Sequence, residues 1–165
     1  VPLQDGHLDM KIALFLLGMF ASSTTLALPM QYQMDLNFAQ RLGQNTMQAC
    51  ENLSQPAAVV VLDQGGQVLW SQRHQNVGPH NLIAAQKKAY TAYSSKNSSL
   101  DFMRRAQTQP DAANLNTLDE LLLLGGGVPV RYEQQLIGAV GVAGAGGSQQ
   151  DHNCALEGIK KTLSS

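Results

Sequence analysis

Three histidines stand where a ligand-binding role makes chemical sense. His74 and His80 bracket a short Asn-Val-Gly-Pro loop, and His152 falls in the first turn of the helix expected at the end of the chain. Neutral imidazole is the commonest protein ligand for transition metals. His80, at a helix start, is the first candidate for an iron or metal ligand, with His74 and His152 behind it. For each, a surface or capping histidine is the plain alternative. Neither His74 nor His80 has a cysteine partner at zinc-finger spacing. Arg73, Lys87, Lys88 and Arg131 are the cations that would pair with ligand carboxylates. Lys87 and Lys88 read equally well as a solvated helix face. Gly144-Ala145-Gly146-Gly147-Ser148 leads into a helix, where free backbone N–H groups can hold an anion. A tight strand-to-helix turn explains the same glycines, and the run 125–127 has the same two readings. No P-loop, HExxH, GxSxG or CxxC motif is present. Serines and histidines are numerous enough that a dispersed triad stays open, and no catalytic residue is assigned.

These residues need a scaffold. With 165 residues, 44% of them hydrophobic, the chain is long enough for one domain with a real core. Charged residues make up only 14%, against about 25% in ordinary soluble domains. A formal net charge of -1 argues against a nucleic-acid surface. Met10-Lys11, an apolar run over 12–21, small residues over 22–25 and Leu26-Ala27 form the pattern of a signal peptide cleaved after Ala27. Ten apolar residues are too few to span a bilayer, which takes roughly 20. Residues 1–9 precede Met10, fit no secretory pattern, and read as an addition or a misassigned start. Residues 28–165 then form a single domain with 10 basic and 10 acidic residues. That neutral chain has no strong pull toward nucleic acid or an anionic membrane, and keeps no membrane anchor after cleavage. Cys50 and Cys154 are the only cysteines. In an oxidising compartment they are expected to form one disulfide closing a long loop, worth about 2–4 kcal/mol. Two buried free thiols are the alternative.

Periodicity predicts a helix over 34–53, with Ala39, Leu42, Thr46, Ala49, Cys50 and Leu53 on one stripe. A β-branched strand over 57–62, a turn at 63–66 and an alternating segment over 67–73 read as a hairpin. A helix over 80–96 shows Leu82, Ala85, Ala89, Ala92 and Tyr93 on its apolar face. Ser98 or Ser99 caps a further helix reaching 107, with Asp101 in its first turn. A polar loop over 109–117, a short strand over 121–124, strands over 128–131 and 136–142, and a helix over 149–163 capped by Ser148 complete the chain. The fold class is α+β: five strands in an antiparallel sheet with separate helices.

The segment over 73–92, RHQNVGPHNLIAAQKKAYTA, with its core Lys88-Ala89-Tyr90-Thr91-Ala92, resembles the GlcG/HbpS-like family, which includes the PduO C-terminal domain. So do LGGGVPVR at 124–131, IGAVGVAG at 137–144 followed by Asp151 and Cys154, and Val61-Leu62-Asp63 with Gly66. The resemblance covers about 35–163. It implies a profilin-like, five-stranded antiparallel sheet with helices on both faces. It also implies that the first and last helices share a side, bringing Cys50 near Cys154. Some members bind haem or related tetrapyrroles, some are linked to glycolate or diol operons, and many form homo-oligomers. With the signal pattern, it implies a periplasmic home. Gln75-Asn76 depart from the acidic residues common there, while Gly78-Pro79-His80 is similar to an exported, haem-associated branch. No catalytic set transfers.

The leading expectation is therefore an exported haem-binding or haem-handling protein rather than an enzyme. His80 is the metal ligand, with His74, Arg73, Lys88 and Arg131 around the cofactor. The second is an enzyme or accessory factor for a small carboxylic acid, held by the glycine turns, Lys88 and Arg131. The third is a ligand-free assembly or sensory module.

Overall fold

The computed structural model describes residues 30–53 and 55–164. The expected signal peptide and the residues before it lie outside them. Asp35 opens the first helix, its carboxylate accepting from the Phe38 N–H at 2.7 Å. Helix α1 (Leu36–Leu53) leads to strands β1 (Ala58–Leu62) and β2 (Val68–Arg73). Between the strands Asp63 Oδ1 accepts from the N–H groups of Gly65 and Gln67, closing the turn read from the sequence. Helices α2 (His80–Ser95), α3 (Ser99–Thr108) and α4 (Pro110–Ala113), with a 3-10 turn over Asn114–Thr117, lead to β3 (Gly127–Tyr132), β4 (Gln135–Ala143) and α5 (Ser148–Leu163).

The sheet is fully antiparallel, in the order β2-β1-β4-β3. It has four strands, which corrects the expected five. Segment 121–124 is apolar but does not join it. Its backbone is satisfied by helix side chains instead. The Leu122 N–H donates to Thr91 Oγ1 at 2.9 Å, and Ser99 Oγ donates to the Leu124 carbonyl at 2.7 Å. A short leucine run carries no periodicity that separates these two outcomes. Segment 109–117, expected to be a loop, forms short helical turns starting at Pro110, whose fixed φ suits a first helical position.

Burial follows strand position. Every residue of β1 is buried because the strand is central and covered on both faces. Val59 and Val61, paired with Val142 and Val140, face Leu42, Cys50, Cys154 and Ala155 of α1 and α5. Ala58, Val60 and Leu62, paired with Ala143, Gly141 and Ala139, lie on the α2 side with Ala85, Ala89 and Ala92. This gives three layers, with α1 and α5 on one face and α2 on the other. Small residues let α2 lie against the sheet backbone. A Cβ on Gly141 would come within 2.0 Å of the Ala85 carbonyl, and one on Gly127 within 1.9 Å of the Lys88 carbonyl.

Candidate functional site

Lys88 falls on the apolar stripe of α2, between Ala85 and Ala92, so it must lie over the sheet. It is 4% exposed. A buried ammonium needs partners, and Lys88 has two. Its Nζ donates to Asp151 Oδ2 at 2.7 Å and to the Val142 carbonyl at 3.2 Å. Asp151, 2% exposed in the first turn of α5, accepts from the Ala145 N–H through Oδ1 at 2.8 Å. The pair thus ties α2, the end of β4, the glycine turn and α5 together at one point.

That point floors a cleft of about 410 Å³, walled by His80, Asn81, Ala84, Leu124 and the turn from Gly144 to Ser148. Gly144, Gly146 and Gly147 have φ of 102°, 108° and 135°, a region that favours glycine. The turn reading of these residues therefore holds, and their backbone also lines the cleft. Ser148 is the first helical residue of α5 rather than its cap, and its Oγ accepts from the Gly125 N–H at 3.2 Å. Two helix starts meet here, α2 at Pro79-His80 and α5 at Gly147-Ser148, and neither has a side-chain cap. Their dipoles present positive ends to the cleft.

His80 is exposed at the cleft wall beside Gly78. Its imidazole makes no hydrogen bond or ion pair to any described residue. His74 is half-buried and its Nδ1 accepts from the Asn76 N–H at 3.1 Å. His152 faces away, toward α3. Its Nδ1 is buried without a hydrogen-bond partner among the described residues. Burial holds the His152 pKa below the ordinary histidine value, with Arg104 adding to this and Asp101 opposing it.

The expected cations do not converge. Arg73 Nη1 donates to the carbonyls of His74, at 3.1 Å, and Val77. It thereby shapes the 74–78 loop, which walls an adjoining lobe at Val77, Gly78 and Asn81. Lys88 is committed to Asp151. Arg131 Nη2 donates to the Lys96 carbonyl at 3.3 Å, past the far end of α2. At 1.5 Å per residue, that is roughly 24 Å from His80 along the helix. Lys87 lines a separate cavity of about 460 Å³ with Ile83, Tyr90, Asp119 and Glu120. That cavity holds no histidine. Cys50 and Cys154 are fully buried free thiols in one core cluster. The hydrogen bond to Cys154 and then burial push the Cys50 pKa up.

Sequence reasoning gave Asp151 no role. Two signals pointed to it: a lysine inside an alanine stripe must find an anion, and Asp151 is the only carboxylate in the first turn after the glycine segment. Among the described residues no group of three or more His, Cys, Asp or Glu side chains is placed to hold a metal ion.

The model of the family described as "Haem degrading protein HbpS-like" matches residues 34–160. Among solved structures, HbpS is similar at TM-score 0.73 and 27% identity, covering 81% of this chain and 93% of its own. The Klebsiella pneumoniae protein ORFY is similar at TM-score 0.73 and 26% identity, over 85% of this chain and 98% of its own. PduOC, solved as a haem complex, shares the fold at TM-score 0.69 and 22% identity, over 78% and 94%.

Proposed function

The chain belongs to the HbpS-like family, and on that premise we propose that it is an exported haem-binding protein whose iron ligand is His80. The observation that carries this reading is the free imidazole of His80 beside a cleft onto which two uncapped helix starts open. A haem iron would come with its own ring nitrogens, so one histidine, His80, would be enough to hold it. The propionates are anions, and helix starts are the places in a neutral chain that favour them. Lys88 and Asp151 fix the cleft floor rather than bind the cofactor. The family description names haem, and the PduOC relative was solved with haem.

The small-acid reading needs Lys88 and Arg131 in one cleft. Lys88 is paired, and Arg131 lies at the Lys96 end of α2. The haem reading therefore has more support. The test is a haem titration followed by absorbance. A saturable Soret shift is expected in the wild type and in His74→Ala, and its loss or displacement in His80→Ala. No shift in the wild type sinks the proposal, and an unchanged shift in His80→Ala removes His80 as ligand. Incubating the complex with reductant and oxygen separates holding from degradation. A persistent Soret band supports a binding protein, whereas its bleaching would mean that the chain degrades haem.

A further inference from the structure

Helices α1 and α5 run antiparallel at close approach. A Cβ on Gly158 would come within 2.0 Å of Thr46 Oγ1, so the helices touch at that glycine. Asn45 Nδ2 donates to Thr162 Oγ1 at 2.9 Å on one side of this contact. One turn to the other side, four residues after Thr46 and four before Gly158, lie Cys50 and Cys154. Both are fully buried in the same core cluster between these helices and the sheet.

We propose that Cys50 and Cys154 form a structural disulfide that bolts α1 to α5 when the chain folds in an oxidising compartment. Registration by the Thr46–Gly158 contact places the thiols opposite each other in any molecule that packs these helices. Their complete burial suits a permanent bond rather than a reactive sensor, since reactive cysteines are exposed and electropositively placed. The oxidant is a small-molecule or enzyme disulfide acting before the helices close. One cysteine thiolate attacks the donor's S–S bond and releases the first donor thiol. The second cysteine thiolate then displaces the other donor sulfur. The Sγ–Sγ bond forms, the donor's S–S bond breaks, and two electrons and two protons end on the donor's two thiols. Asp151 is three residues before Cys154, so the bond also anchors the turn that carries the Lys88 pair.

The full chain is denatured, reduced, and refolded in a buffer of reduced and oxidised glutathione. Intact mass and non-reducing peptide mapping then follow. The expected result is a chain lighter by two hydrogens, a linked Cys50–Cys154 peptide, no alkylation without reductant, and a Tm that falls by about 10 °C on reduction. Two alkylatable thiols, mixed disulfides with glutathione, or bonds between chains would overturn the proposal. The wild-type result decides even if a Cys50→Ala, Cys154→Ala double variant folds poorly. If that variant folds, its Tm should not respond to reductant. Haem binding is not measured here, so failure of the disulfide leaves the cofactor reading standing.

Discussion

Lys88 and Asp151 illustrate how one buried pair positions the elements around a cleft. Two charges are removed from water and returned to each other at 2.7 Å, with the Val142 carbonyl and the Ala145 N–H meeting the remaining needs. Such a pair adds little against an apolar replacement, but breaking it strands a buried charge. Lys88→Ala should therefore destabilise the fold by about 3–5 kcal/mol, read by urea denaturation. Lys88→Met combined with Asp151→Leu should recover much of that loss. A cost below about 1 kcal/mol for the single variant would mean that water reaches Asp151 and the pair is not a true anchor. His80 is the reverse case: it supports nothing in the fold. His80→Ala should leave the denaturation midpoint within the scatter of surface substitutions, so a lost Soret shift in that variant reports on ligation.

At the scale of the element, α2 is the piece on which the cleft depends. Its alanine stripe and the glycines beneath it allow backbone-to-backbone contact, which brings Lys88 to the level of β4. Gly141→Ala should lower stability by about 1–3 kcal/mol or more. The obstructing atoms are the Ala85 carbonyl and the Ala89 N, which cannot rotate away. A Tm within 1–2 °C of wild type would show that α2 rides higher than the contact implies, at about 3–5 °C per kcal/mol for a domain of this size. The helix was legible from its 3–4 spacing, and so was a serine cap for α3; of the two candidates, Ser98 fills it, its Oγ accepting from the Asp101 N–H at 3.1 Å. Segment 121–124 was not. Four apolar residues suit either a strand or a strap over helices. Thr91 and Ser99, remote in sequence, decide for the strap.

At the scale of the whole molecule, His152 at the α3–α5 contact is expected to contribute to acid sensitivity. His152 has a folded pKa below its ordinary 6.5. The unfolded chain therefore binds the proton first as pH falls, and protonation favours unfolding. The stability held by the neutral form is complete above about 6.5 and declines as pH drops through the lowered folded value. A series of Tm values from pH 7.5 to 5 should fall less steeply for His152→Leu than for wild type. Parallel curves would assign the acid sensitivity elsewhere. Among the described residues no helix is long and apolar enough to cross a membrane.

The family, the four long helices, the two hairpins and the identity of His80 as the leading ligand candidate were set by local signals: periodicity, turn residues and contiguous motifs. These depend on neighbours within a few positions, so the chain alone carries them. The strand count, the separation of Arg131 from His80, the commitment of Arg73 to its own loop and the pairing of Lys88 with Asp151 were decided only by tertiary structure. Each depends on which distant groups compete for one hydrogen bond or one charge. That competition is settled by packing, with α2 pressed on the sheet and α5 brought beneath the same turn.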